Sequence, residues 1–364
     1  MPLIVIDARE SGTSTGRYVD KLVENLQKLK PDLDFIILTK PHRLDFMKAI
    51  APDFEVIESN FKEFTFAEQI GLLKQLRVLN ADLVHFAHTQ QPVLYHGKAV
   101  TTIHDLTTAR FRNPAKNQLV FGLKQAVYKL VIRIVAHKSI HVITPSKYVK
   151  NDVAQYAKIK PSKITVTYEA ADKIVDLPIA VTGLTGQKFL LYVGRPQPHK
   201  NLQRLVEAYS IARQKHPELR LVLAGKKDVL YERLEAWAEK EHIQGLSLVG
   251  FVSDAQLKWL YERCAAYAFP SLSEGFGLPG LEAMVHGAPV LSSNATCLPE
   301  IYGDAAHYFK PLDVLDIANK IKGLLENAKL RSELIRASRV QASKYSWQRL
   351  AEQTLDVYRK ALNT

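Results

Sequence analysis

The stretch KFLLYVGRPQPHKN, residues 188–201, decides how this chain folds. Phe189 to Val193 form an unbroken apolar run, the mark of a strand covered on both faces; a strand with one wet face would alternate. Gly194 ends the run. A loop carrying Arg195 and Lys200 follows, and a helix is expected to begin near Leu202. Strand, turn and helix in that order are the repeating unit of a parallel, doubly wound sheet, whose ligands bind at the carboxyl ends of its strands. Two cations at such an end suit a diphosphate.

The same unit recurs on both sides. Upstream, LIVID (3–7), DFIILT (34–39), ADLVHFA (81–87), AVTTIHD (99–105) and SIHVITPS (139–146) read as buried parallel strands. Downstream, LRLVLAG (219–225), LSLVGFV (246–252), AAYAFPS (265–271) and APVLSS (288–293) continue the second set. Between the sets, residues 171–187 are rich in turn formers and weak in periodicity. The expectation is an α/β protein of two doubly wound domains facing each other across a cleft: 1–172, a linker at 173–187, and 188–345. A last helix, 346–364, has apolar positions at Trp347, Leu350, Leu355 and Tyr358 and is expected to pack back on the N-terminal domain.

Length and composition fit this division: 364 residues, 47% of them hydrophobic, suffice for two cores. Cys264 and Cys297 match no metal spacing and no disulfide framework, and read as buried thiols. The start MPLIVIDARES lacks a basic leader, and no apolar run reaches the length of a membrane span, so a cytoplasmic location is expected. The net charge of +12 is concentrated: residues 98–163 hold 13 Lys and Arg against two acids, Asp105 and Asp152. Such an excess serves phosphorylated ligands, anionic lipid or nucleic acid. No aromatic-basic platform supports nucleic acid. The segment 116–138, punctuated by Lys116, Lys124, Lys129, Arg133 and Lys138, reads as a long helix. Its plainer role is packing on the N-terminal sheet with its cations in solvent. Its sharper role is contact with an anionic membrane, which would place the protein peripherally on the inner face.

The carboxylates that stand out are Glu274 and Glu282, in PSLSEGFGLPGLEAMVHGAPVL (270–291). Pro279 suits a first helical turn and Gly287 a terminator, so Glu274 falls in the loop and Glu282 in the helix. Gly275 and Gly277 are expected to leave the loop backbone bare for a ligand to meet amides at the helix start. In the N-terminal half, Gly12 and Gly16 flank three hydroxyl residues in a loop that opens a helix; this is neither a dinucleotide fingerprint nor a Walker motif. His104, in TTIHDLTT, ends a buried strand and could donate to a sugar hydroxyl or to developing charge, while Asp105 could cap a turn. Asp32 and Asp34 form an Asp-x-Asp in PDLDF, read as turn chemistry with no other ligand near it, so no catalytic metal is expected.

EGFGLPGLE, GRPQPHKN, TIHDL, VITPSKYVKNDV and LPEIYGDAAHYFKP together resemble family 4 of the retaining, nucleotide-sugar-dependent glycosyltransferases, over nearly the whole chain. That resemblance implies the GT-B fold of two Rossmann-like domains, an N-terminal acceptor side and a C-terminal donor side. It implies that Glu282 holds the ribose hydroxyls and Glu274 the donor sugar, near the reacting carbon. The amides of Gly275, Phe276, Gly277 and Leu278, with Arg195 and Lys200, would bind the diphosphate, and Phe251 and Val252 would lie along the nucleobase. His104 would stand near the sugar, with Gly12 and Gly16 in the loop over the diphosphate, although the family's adjacent glycines here have three residues between them. The implied reaction moves a hexose with retention to a glycan or lipid-linked hydroxyl, without cofactor or metal. The motifs are most similar to mannosyltransferases that use GDP-mannose. Glucosyl, galactosyl or N-acetylglucosaminyl transfer from a UDP-sugar is the alternative, and a non-catalytic nucleotide-sugar-binding protein a more distant one.

Overall fold

The structure is a computed structural model that describes residues 1–13, 15–112, 114 and 117–364. The chain divides into two compact units. The first comprises Met1–Ala109, Leu123–Glu169 and Ser346–Thr364; the second comprises Arg110–Gly122 and Ala170–Tyr345. Residues 110–122, assigned by the sequence to the first domain, therefore cluster with the second unit.

The first unit is built on a seven-stranded, wholly parallel sheet. Its strands are β1 (Leu3–Asp7), β2 (Asp34–Thr39), β3 (Glu55–Glu58), β4 (Leu83–Phe86), β5 (Ala99–Thr102), β6 (His141–Thr144) and β7 (Ile164–Val166). They lie in the order β3-β2-β1-β4-β5-β6-β7, so the order reverses between β1 and β4. Val5, Ile36, Leu38, Val84 and Phe86 pack with Leu72, Leu73 and Leu76 in one core cluster. His85, between Val84 and Phe86, points to the other face by strand alternation, and there its Nδ1 lies 2.6 Å from the Tyr358 hydroxyl. Tyr358 belongs to the helix Trp347–Leu362, which contacts β4, β5, β6 and the helix Arg17–Leu29. Its buried face of Trp347, Leu350, Ala351, Thr354, Leu355 and Tyr358 follows helical spacing, and the Ser346 side chain caps its start. The last helix is thus a layer of the first unit.

The second unit holds a six-stranded parallel sheet: β8 (Phe189–Val193), β9 (Arg220–Ala224), β10 (Leu246–Gly250), β11 (Ala266–Phe269), β12 (Val290–Ser293) and β13 (Ala306–Phe309). The order is β10-β9-β8-β11-β12-β13, reversing between β8 and β11. Phe189, Leu190, Leu191 and Tyr192 are fully buried, as the unbroken apolar run requires. No regular element occupies residues 167–188. Cys264 and Cys297 are buried free thiols.

Candidate active site

In a doubly wound sheet, loops that leave neighbouring strands at the reversal point diverge and open a crevice at their carboxyl ends. In the second unit those strands are β8 and β11, and their loops carry Arg195–Lys200 and Glu274. Gly194 ends β8 at φ 141° and its carbonyl accepts from the Tyr231 hydroxyl at 2.7 Å. A short 3-10 turn, Pro198–Lys200, follows, and Asn201 takes the left-handed conformation at φ 57°. The buried Asn201 amide donates to the carbonyls of Pro270 (3.1 Å) and Pro311 (2.7 Å). Leu272 N donates to the His199 carbonyl at 2.7 Å. These bonds tie the two loops together and set Lys200 against Glu274.

Lys200 Nζ lies 2.6 Å from Glu274 Oε1, both side chains mostly buried, and 5.5 Å from the centre of the Phe269 ring. A Lys ammonium has three N–H donors, so this pair does not exhaust it. The Glu274 backbone is held too: its amide donates to Thr296 Oγ1 at 3.2 Å, and its carbonyl accepts from Cys297 Sγ at 3.3 Å. Cys297 is a thiol pushed well above its ordinary range by burial, with the Glu274 charge adding to the effect, so it stays protonated and serves as a donor. Glu282 lies in the helix Leu278–Val285, and its Oε2 accepts from the Tyr261 hydroxyl at 3.4 Å. Arg195 is exposed, Phe251 is 83% exposed just beyond β10, and Val252 is partly buried.

The expected role of the glycines needs correcting. Gly275, Phe276 and Gly277 are buried, not bare. Gly277 adopts φ 92°, and a Cβ there would come within 2.6 Å of both Leu298 and the Tyr302 hydroxyl. Gly280 is likewise filled by Tyr302, whose hydroxyl donates to the Gly277 carbonyl. Packing against the helix Leu298–Tyr302 accounts for both residues. Gly16 has a similar cause: a side chain there would collide with the Glu10 backbone, with the Ser11 Cα 3.0 Å away. Its amide donates to Thr13 Oγ1 at 2.9 Å, and that hydroxyl in turn donates to the Glu10 carbonyl at 2.8 Å. Gly12 stands exposed at φ 79° above Arg43, which binds Ser11 Oγ at 2.9 Å and Asp20 at 3.2 Å. Ser14, the middle hydroxyl of this loop, and Lys116 lie outside the described residues.

His104 follows β5 in the first unit. Its Nε2 is 3.0 Å from the Ala87 carbonyl and its Nδ1 is 3.4 Å from Glu169 Oε1. Burial opposes its charge, but the Glu169 carboxylate and the Ala87 carbonyl outweigh burial and hold its pKa above the ordinary value. Asp105 caps the next turn, accepting from Thr107 N at 2.7 Å. Asp34 begins β2, with Oδ2 3.6 Å from the Met1 amino group. Among the described residues, no group of three or more His, Cys, Asp or Glu side chains is placed to hold a metal ion.

Several residues were not singled out from sequence. Glu169, Asn201, Thr296 and Tyr302 act on partners 22 to 110 residues away, with no local pattern to announce them. The triad of Arg9, Asp7 and Glu68 was also missed, although an arginine directly after a buried strand in IDARES is a signal. The Arg9 guanidinium binds Asp7 at 2.8 Å, Glu68 at 2.9 Å and the Phe61 carbonyl at 3.0 Å. All three side chains are almost wholly buried at the carboxyl end of β1.

The family model for Glycosyl transferases group 1 matches residues 179–341, and that for Glycosyltransferase Family 4 matches residues 15–173. The chain is 30% identical over 300 residues to O-antigen chain mannosyltransferase B of Escherichia coli, covering 73% of this chain and 74% of that one. It is 23% identical over 326 residues to O-antigen chain mannosyltransferase RfbU of Salmonella typhimurium, covering 86% and 88%. Sucrose-phosphate synthase from Thermosynechococcus elongatus superposes with a TM-score of 0.75 at 18% identity, over 99% of both chains, which shows the fold. The chain belongs to the family 4 glycosyltransferases of GT-B fold and is a mannosyltransferase-like enzyme.

Proposed function

We propose that this enzyme transfers a mannosyl residue from GDP-mannose to a hydroxyl of a growing glycan or lipid-linked acceptor, with retention and without a catalytic metal. The observation that carries the reading is the Lys200–Glu274 pair at the reversal point of the second sheet. The mannosyl preference is supported by the similarity to the O-antigen mannosyltransferases. In this reading Glu282 holds the ribose and Glu274 the mannosyl hydroxyls, while Arg195 and Lys200 take the diphosphate. The bond from the sugar's C1 to the diphosphate oxygen breaks as the acceptor oxygen bonds to C1 on the same face. The acceptor proton passes to the departing diphosphate. The enzyme supplies position and charge; one contact aimed at growing charge is worth about 3 kcal/mol, on the order of a hundredfold in rate.

A thermal-shift and hydrolysis screen with EDTA present tests this against GDP-mannose, UDP-glucose, UDP-galactose and UDP-N-acetylglucosamine. GDP-mannose is expected to raise the melting temperature and slowly lose its sugar, and Glu282→Ala to abolish the shift. Stabilisation by a UDP-sugar instead would reassign the donor, and activity only after a divalent metal is restored would overturn metal independence.

The enzyme is proposed to work at an anionic membrane surface. Among the described residues no helix is long and apolar enough to cross a membrane. The helix Gln118–Lys138 nonetheless has two apolar faces. It buries Ile132, Val135 and Ala136, as the packing role requires. Its opposite face leaves Leu119, Leu123, Val127, Leu130 and Ile134 between 36% and 87% exposed, at spacings of three and four residues. Exposed Lys124, Lys129 and Arg133 flank this stripe. An apolar stripe edged by cations suits a helix lying in the headgroup region, each Lys or Arg adding about 1 kcal/mol on anionic lipid. The protein is expected to sediment with phosphatidylglycerol vesicles and not with phosphatidylcholine, less so at high salt. Leu123→Glu with Leu130→Glu should remain in solution with its donor shift intact. No sedimentation of the parent protein with anionic vesicles at low salt would remove the idea.

A further inference from the structure

We propose that Glu169 is a positioning residue for the transfer reaction, holding His104 as a doubly protonated donor. The two ring nitrogens of His104 face a backbone carbonyl at 3.0 Å and a carboxylate at 3.4 Å. Both partners only accept, so Nε2 donates to the Ala87 carbonyl, and the Glu169 charge beside Nδ1 favours a second proton there, which makes the ring an imidazolium. The shorter bond, to Ala87 at the end of β4, fixes the ring plane. The Glu169 carboxylate, an ion-pair partner at 3.4 Å, keeps the proton on Nδ1. Tyr18 packs edge-on to the ring at 4.8 Å and His88 lies at 4.9 Å.

The groups around His104 leave that charge to His104 alone. Burial lowers His85 to about 3 and His88 well below its ordinary value, with His104 itself adding to both effects, so these two rings are neutral. Arg9 is committed to Asp7 and Glu68. Asp105 adds a smaller attraction of the same sign as Glu169. Glu169 is itself buried, and it is the last residue of the first unit before the chain enters the second. One acid brought in from beyond β7 thus selects which of three histidines is cationic. The inference rests on the reading of His104 as a group of the transfer reaction, in which a fixed cation would favour developing negative charge.

NMR titration of the histidines in the full-length protein, with Glu169→Gln alongside, tests this. His104 is expected to titrate above the ordinary histidine value in the parent and below it in Glu169→Gln, where burial acts unopposed. Because the imidazolium is the active form, kcat/KM should fall as pH rises through the His104 pKa. In Glu169→Gln this fall should come at lower pH, the two enzymes converging in acid, and Glu169→Asp should restore part of the range. An unchanged His104 titration, or a loss of activity equal at every pH, would overturn the proposal. So would a parent His104 that titrates below the ordinary value, a result that needs no variant to fold. Full activity of His104→Ala would instead overturn the reading of His104 itself, separably from the titration.

Discussion

Lys200→Ala is expected to lower the rate of sugar transfer, followed as nucleotide release at saturating donor, by a hundredfold to a thousandfold, about 3–4 kcal/mol of barrier. Two effects combine. The variant loses a cation where the diphosphate gains charge, and it leaves Glu274 without the partner that sits 2.6 Å away. A carboxylate released from its ion pair in a half-dry site is free to turn from the sugar hydroxyls and repels the diphosphate. Glu274→Ala alone should also be severely impaired, and Lys200→Ala/Glu274→Ala should lose much less than the product of the single losses, because the residues act as one unit. The donor KM should rise by less than kcat falls. A Lys200→Ala enzyme within threefold of the parent would remove the pair from the chemistry.

Arg9→Met is expected to destabilise the protein by about 3–5 kcal/mol, read as a lower midpoint of denaturant unfolding of the first unit. The substitution preserves much of the volume but strands Asp7 and Glu68, which are only 6% and 1% exposed. Burial already pushes Glu68 above its ordinary value, an effect Arg9 offsets only in part. An acid with a raised folded pKa loses stability as pH rises through that value and regains it as the pH falls. The Arg9→Met defect should therefore ease in mild acid, opposite to acid unfolding of the parent. Replacing all three side chains with apolar residues should recover much of the loss. A small, pH-independent change in Arg9→Met would show that the triad contributes little.

The interior of each sheet was legible because a strand covered on both faces needs an unbroken apolar run, and β1, β2, β8 and β9 have one. The strands not foreseen, β3, β7 and β13, are all outermost in their sheets. Edge strands need less apolar surface, and EVIE in β3 has only two apolar residues, set between glutamates. Glu274, Glu282, Arg195 and Lys200 could be singled out because strand ends and glycine-broken loops are local features. What they touch could not. The contact of Lys200 with Glu274 spans 74 residues, and the placing of Glu169 against His104 depends on a register of β5 against β6 and β7 that no local pattern encodes. Gly277 misled for the same reason: its neighbour Tyr302 is remote in sequence.

The helix Trp347–Leu362 is a layer of the first unit, yet it is made after the whole of the second. At about 5–20 residues per second, the ribosome spends on the order of ten to thirty seconds between residues 169 and 346. Through that interval the nascent first sheet has its His85 face open, with Tyr358 not yet synthesised to cover it. Nascent chains arrested before residue 346 should accordingly bind holdase chaperones and be cut by protease in the first unit. Extending the arrest past residue 364 should make both signals fall together.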